Sequence, residues 1–263
     1  MSVARSRTST EGSVERTIDT VPIIGHSNLS LLRSVDLAVV GGMLLIDKPS
    51  GWTSFDVVAR LRTLLRIRRI GHCGTLDPMA TGLLQICVGP ATKLVETFQA
   101  GIKEYLGTIR FGGMTPSDDA ETEEEKTFPT DHVTLELLTA SATQFVGTIE
   151  QIPPMYSARK INGERLYRLA RKGKVVDRPP RQVTIERFDI ERVDIPEVDV
   201  RVVCSKGTYI RSLARDLGSK VGSGAYLTAL RRLRSGEHHI DDATTIDAIA
   251  RIMQTERGEE GVE

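Results

Sequence analysis

Residues 71–82 read Gly71-His72-Cys73-Gly74-Thr75-Leu76-Asp77-Pro78-Met79-Ala80-Thr81-Gly82 and show no hydrophobic period. The apolar run 83–88 follows them directly and predicts a buried strand. Gly74 and Gly82 permit a ligand to approach the backbone closely. Pro78 restrains Asp77 to extended geometry, so the carboxylate projects from a stiff support. The alternative is an ordinary turn in which the Asp77 carboxylate binds local amides.

A second polar segment, 205–211, joins a predicted strand to a predicted helix and contains Tyr209 and Arg211 beside Gly207. An aromatic ring can stack on a base, and a guanidinium can pair with a carboxylate. The alternative is a capped helix that carries a surface arginine. These residues by themselves leave both interpretations open.

Hydrophobic periodicity outside these segments indicates a mixture of strands and helices without strict alternation. Strands are predicted at 43–46, 83–88, 103–111, 182–193 and 198–205, and helices at 53–65, 132–144, 210–217 and 225–233. This order predicts an α+β fold rather than a doubly wound sheet.

The same patterns divide the chain into three parts. Residues 1–40 are rich in Ser, Thr and Arg without a period, which predicts a disordered N-terminal extension. Residues 41–236 form the predicted main folded domain, and 237–263 form a short acidic C-terminal segment.

Composition excludes several classes of protein. The chain has 263 residues, 40% of them hydrophobic and 27% charged, as in ordinary globular proteins. Its longest apolar run, 37–46, is too short to cross a bilayer, and no secretory signal is evident, so a cytoplasmic protein is expected. P-loop, nucleophile-elbow and zinc-protease motifs are absent from the sequence. The three cysteines, Cys73, Cys87 and Cys204, have no metal-ligand spacing, so reduced buried thiols and no metal are predicted.

Charge is distributed in blocks although its formal sum is zero. Residues 159–236 hold 19 basic and 9 acidic residues, a net charge of +10, whereas 114–137 and 237–263 sum to −7 and −6. A basic block of this size indicates a face for a polyanion. The alternative is a solvated surface of scattered ion pairs.

Six blocks of sequence occur in one order along the chain: 42–49, 71–82, 103–105, 154–158, 204–211 and 230–233. Together they resemble the bacterial tRNA pseudouridine-55 synthase (TruB) family. The resemblance implies a pseudouridine synthase fold, with a mixed, mainly antiparallel central sheet flanked by helices. It implies isomerisation of uridine to pseudouridine in the T-loop of tRNA, with base flipping and no cofactor.

The resemblance also implies that 41–236 is the catalytic domain, and it implies roles for individual residues. Asp77 is the expected catalytic carboxylate and Arg211 its partner, while Tyr105 stacks on the extruded base and Tyr209 forms a second wall. His72 would fill the vacated base stack, with a core histidine as the alternative. Leu230 is either an apolar wall or core, and Lys48 either contacts phosphate or supports the loop.

The expected partner is the T-arm and T-loop of tRNA, bound by a monomer without guide RNA or membrane. Side activity as a tRNA-folding chaperone is compatible with this. Two rivals are a non-catalytic RNA-folding module and the catalytic subunit of an RNA-guided particle. Cys73 stands where the family usually has a small residue or Thr. About 27 residues follow Gly236, so no full RNA-binding (PUA) domain is expected.

Overall fold

The structure is a computed structural model that describes residues 20–157, 160–161, 163–170, 173–174 and 176–259. Its strands are β1 (Ile23–Ile24), β2 (Gly42–Lys48), β3 (Ile70–His72), β4 (Thr81–Val88), β5 (Lys103–Phe111), β6 (Gly113–Met114), β7 (Lys126–Thr127), β8 (Gly147–Gln151), β9 (Lys160–Ile161), β10 (Glu164–Arg165), β11 (Arg181–Asp194), β12 (Glu197–Cys204), β13 (Ala225–Ser235) and β14 (His238–His239). Its helices are α1 (Leu31–Ser34), α2 (Ser54–Leu65), α3 (Val95–Gln99), α4 (Leu135–Thr143), α5 (Leu166–Ala170), α6 (Ile210–Lys220) and α7 (Ile246–Glu259).

The central sheet has ten strands in the order β1-β2-β4-β13-β5-β12-β11-β8, with β3 and β14 paired to β4 and β13. The pairs β1/β2 and β4/β13 are parallel and the others in this sheet are antiparallel. Helix α6 packs on β13, α4 on β11, and α7 on β2 and α2. The predicted α+β class, with a mixed and mainly antiparallel sheet, is confirmed.

Local sequence explains the best-predicted elements. Burial alternates residue by residue along β5, as the sequence pattern predicts for a half-buried strand. Thr53 caps α2: its Oγ1 accepts from Asp56 N at 3.1 Å, and the Asp56 carboxylate accepts from Thr53 N at 2.8 Å. The predicted start of this helix is therefore confirmed.

One edge of β4 is only partly paired with other strands, and the loop that carries Asp77, between β3 and β4, lies at this unpaired part. Along that edge β13 pairs only opposite Thr81 and Gly82, and β3 pairs opposite the far end of the strand. Side chains span the gap between these pairings. Ser235 Oγ donates to Gln85 Oε1 at 2.8 Å, and Arg232 Nε donates to the Leu83 carbonyl at 2.7 Å.

Residues 225–233 are a strand, not the helix that their spacing predicts. β13 lies inside the sheet between β4 and β5, where ladder hydrogen bonds on both edges outweigh local propensity. Its register with β5 shifts between Leu227 and Ala229 and again between Arg232 and Arg234. Such bulges disrupt the two-residue alternation that identifies a strand.

The predicted disorder of 1–40 is wrong for residues 20–40, while 1–19 lie outside the described residues. Ile24 of β1, Leu32 of α1 and Leu37 are buried in the main hydrophobic cluster. Both elements are shorter than one amphipathic repeat, so they leave no periodic signal.

The acidic segment 237–263 also forms structure, up to residue 259. Ile246, Ile249 and Ala250 of α7 are buried in the main cluster, so the helix belongs to the same core as the sheet. In the described part of the chain, none of the helices combines the length and hydropathy needed to cross a membrane.

Candidate active site

The loop between β3 and β4 is held at its base by neighbouring backbone and side chains. Ser54 Oγ, at the start of α2, accepts a hydrogen bond from Leu76 N at 2.9 Å and donates to Leu76 O at 3.2 Å. Gly51 N donates to Pro78 O at 2.9 Å. Asp77 therefore lies between two anchored neighbours.

Lys48 supports this loop and does not face a substrate. Its side chain is buried, and Nζ donates to the carbonyls of Pro49, Trp52 and Pro78 at 2.9, 2.5 and 3.2 Å. Burial lowers its pKa to about 8, although Asp77 and Asp56 oppose this shift. The expectation of a substrate-binding Lys48 is thus corrected, because its three ammonium protons are used inside the protein.

Asp77 and Arg211 form a two-point ion pair. Arg211 Nε lies 2.9 Å from Asp77 Oδ2, and Nη2 donates to Oδ1 at 3.0 Å. The Arg211 side chain is 3% exposed and that of Asp77 34%, so the carboxylate reaches solvent while its partner does not. Burial raises the pKa of the Asp77 carboxyl, and the Arg211 charge opposes that rise. The pairing expected from the sequence is present.

Arg211 also contacts a second carboxylate, Asp119, which sequence reasoning missed. Nη1 lies 3.2 Å from Asp119 Oδ2 and donates to Ser117 O at 3.0 Å, and Nη2 donates to Tyr156 O at 2.8 Å. Asp119 is fully buried, with Oδ1 accepting from Ser117 Oγ at 2.5 Å. The sequence shows Asp119 only as one acid in the acidic stretch 118–125, so nothing distinguished it from its neighbours.

A pocket of about 270 Å³ opens beside Asp77. Its lining includes Asp77, Lys103, Tyr105, Tyr209, Leu230 and Arg232. Burial raises the pKa of the Tyr105 hydroxyl, and the Arg232 charge opposes that rise. Leu230 is both wall and core, because it lines the pocket and belongs to the main cluster.

Tyr209 is placed in this pocket by its backbone. Tyr209 N donates to Gln151 Oε1 at 2.8 Å, and Gln151 Nε2 donates to Tyr209 O at 3.0 Å. The side chain of Gln151 on β8 therefore fixes the residue that precedes α6, and with it the entry of Arg211 into the site.

His72 is not in the lining of this pocket. It ends β3 opposite Ile86, and its Nδ1 is buried without a hydrogen-bond partner in the described residues. Burial lowers the pKa of the imidazole, with the Arg232 charge acting in the same direction.

The cysteines are free and buried. The Sγ atoms of Cys73 and Cys87 lie 3.2 Å apart. Across the described residues, no group of three or more His, Cys, Asp or Glu side chains is arranged to hold a metal ion.

Comparison with known proteins places these residues in a family. The model described as TruB family pseudouridylate synthase (N terminal domain) matches residues 62–210, and the model of the tRNA pseudouridylate synthase B C-terminal domain matches 211–262. The segment 237–262 is thus part of a family domain.

Curated relatives named tRNA pseudouridine synthase B align over most of the chain. That of Phocaeicola vulgatus is 45% identical over 226 residues, covering 84% of this chain and 96% of the relative. That of Bacteroides fragilis is 49% identical over 203 residues, with coverages of 75% and 87%.

Solved structures agree in fold. A chain of the archaeal box H/ACA sRNP Nop10-Cbf5 complex superposes with a TM-score of 0.62 at 26% identity, covering 83% of this chain and 55% of that one. A chain of an H/ACA RNP bound to a substrate RNA containing 2'-deoxyuridine gives a TM-score of 0.60 at 26% identity, covering 84% of this chain and 56% of that one.

Proposed function

Since this chain belongs to the TruB family of pseudouridylate synthases and is an isomerase acting on tRNA, we propose that Asp77 is its catalytic carboxylate and that its target is uridine 55 in the T-loop. The observation that carries this proposal is the ion pair of Asp77 with Arg211 at the edge of the pocket. Arg211 holds the carboxylate in one orientation and favours its ionised form.

The reaction breaks the bond between ribose C1′ and uracil N1, turns the base, and joins C1′ to C5. Asp77 is the acidic side chain that lines the pocket among the described residues, so it is the group placed to act on the ribose or the base. Arg211 is committed to Asp77 and Asp119 and acts by positioning the carboxylate.

A uridine stacked in a folded loop must be extruded to reach this pocket, at a cost of a few kcal/mol. Stacking on Tyr105 offsets about 1–3 kcal/mol of that cost. The pocket volume of about 270 Å³ lies just below the range of roughly 300–1,000 Å³ of small-molecule sites, which suits a single nucleoside. Tyr209 and Leu230 then enclose the base, and His72 remains the proposed filler of the vacated stack.

The protein is proposed to act as a monomer, in the cytoplasm, on tRNA without guide RNA. The names of the curated relatives support the tRNA substrate, because they refer to tRNA and not to a ribonucleoprotein. The titles of the solved neighbours describe H/ACA particles, but this chain spans only 55% of the Nop10-Cbf5 complex chain.

The test is incubation of the purified protein with an unmodified tRNA transcript, followed by mapping of pseudouridine. Product at position 55 from transcript alone supports the proposal. Asp77→Asn keeps the shape of the side chain but removes its charge, so product formation is expected to fall below detection while tRNA affinity stays within a few-fold. Turnover by Asp77→Asn would refute the catalytic assignment, and a requirement for guide RNA would favour the ribonucleoprotein alternative.

A further inference from the structure

Arg232 is a buried cation in the pocket wall with an unusual set of partners. It is 1% exposed, and its guanidinium donates to two backbone carbonyls, Leu83 O at 2.7 Å and Gly74 O at 3.3 Å. Across the described residues, no carboxylate lies within ion-pair distance of it. Its neighbours on β13 differ: Arg231 binds Asp47 at 2.8 Å and Arg234 lies 3.3 Å from Glu104.

A second cation, Lys103, adds positive charge near Arg232 instead of balancing it. Lys103 lines the same pocket and donates to the carbonyls of Gln99 and Gly101 at 2.7 and 2.6 Å. Burial, together with the Arg232 charge, lowers the pKa of Lys103 to about 8. Burying an unpaired charge is costly, so its presence here indicates a counter-charge that arrives with the substrate.

The established reaction supplies such a charge. When the C1′–N1 bond breaks, its electron pair stays with uracil, and negative charge spreads over N1, O2 and O4. Later, C5 uses this electron pair to bond C1′, which returns the base to a neutral form, and the proton that C5 then loses is balanced by one that N1 gains. The anionic base therefore exists only during the chemical step, when a fixed cation is most effective.

Building on the proposed function of this pocket, we propose that Arg232 stabilises the anionic uracil by its charge. Arg232 and Tyr105, the proposed stacking residue, both line the pocket. Gly74 borders the guanidinium, because a Cβ at that position would lie 3.6 Å from Nη1, in van der Waals contact. Arg211 is not available for this role, since Asp77 and Asp119 already occupy it.

The test compares Arg232→Met on two tRNAs, one with uridine and one with 5-fluorouridine at the target position. The readout is the single-turnover rate at which the original nucleoside disappears at saturating enzyme. Fluorine withdraws electrons and stabilises the anionic base, so the variant should lose less with 5-fluorouridine. We expect a loss of about 100-fold with uridine and about 10-fold or less with 5-fluorouridine. Equal losses, or no loss, would overturn the proposal, since a structural role does not depend on the leaving group.

Two further variants keep the test decisive. If Arg232→Met does not fold, Arg232→Gln removes the charge but keeps an N–H donor for the backbone carbonyls, so it should show the same selective loss; equal losses on the two tRNAs refute the proposal. Arg192→Met is the matched control, because Arg192, on β11, already has a carboxylate partner in Asp199 at 2.7 Å. It should react with both tRNAs as the parent does. Asp77→Asn, assayed in parallel, tests the proposed function separately. Activity of this variant would refute the assignment of Asp77 as the catalytic carboxylate, whatever result the Arg232 variants give.

Discussion

Arg211 is shared by the carboxylates of Asp77 and Asp119. The protonation state of Asp77 therefore depends on Asp119, which does not line the pocket. Asp119→Asn removes a fully buried charge 3.2 Å from Arg211. Breaking a buried pair costs about 3–5 kcal/mol, which urea unfolding should detect. Burial is the main reason that the pKa of Asp77 is raised, and the Asp119 charge contributes. The acidic limb of the pH–rate profile should therefore move to lower pH in Asp119→Asn; a limb that stays in place would contradict this coupling.

Asp118 supplies a second prediction for single residues. Burial raises its pKa to about 6 from 3.8, although it pairs with Arg215 at 2.9 Å. The folded state thus retains a proton that the unfolded state loses, so this contribution to stability is present below pH 3.8 and disappears as the pH rises to about 6. Asn tolerates the φ of +60° at this position. As the pH rises from 3.5 to 7.5, the unfolding free energy of Asp118→Asn should increase relative to that of the parent, by up to about 3 kcal/mol. A constant difference would argue against the raised pKa.

At the scale of elements, the junction of β4 and β13 positions the site. Gly82 has a φ of +96°, and a Cβ there would lie 2.3 Å from the Arg232 carbonyl oxygen. Gly82→Ala should therefore cost at least about 3 kcal/mol, measured by chemical denaturation. Gly147→Ala is the control: its φ is +109° but nothing lies within 4 Å, so backbone strain alone should cost about 1–2 kcal/mol. Similar losses would mean that the close packing of the two strands is unimportant.

For the whole molecule, ion pairing decides which arginines remain for RNA. Many arginines of the basic block 159–236 contact carboxylates: Arg187, Arg192, Arg201, Arg211, Arg215, Arg231 and Arg234. Exposed Arg60, Arg66 and Arg68, on and after α2, have no carboxylate within ion-pair distance in the described residues. Replacing these three with Ala should lower the log–log salt slope of tRNA binding by about two to three. Ala at Arg187, Arg192 and Arg201, which lie on β11 and β12, should leave the slope unchanged. If this second triple variant lowered the slope and the first did not, the RNA would lie against β11 and β12.

Features that depend only on neighbours in the chain could be predicted from the amino-acid sequence. The capping box of α2, the alternation of β5 and the aperiodic loop around Asp77 are all set within a few residues. The pairing of Asp77 with Arg211 was accessible as well, but only through the family resemblance, because 134 residues separate them.

The remaining features became visible in the folded chain, because each depends on residues that pack together from distant parts of the sequence. Burial distinguished Asp119 from the other acids of its loop, and three carbonyls withdrew Lys48 from the substrate. Pairing on two edges made 225–235 a strand against its helical spacing. Arg232 differs from Arg231 and Arg234 in no local property. Only the sheet determines that it lies inside, because the position of a side chain within the core is a property of the whole packing and not of its immediate sequence.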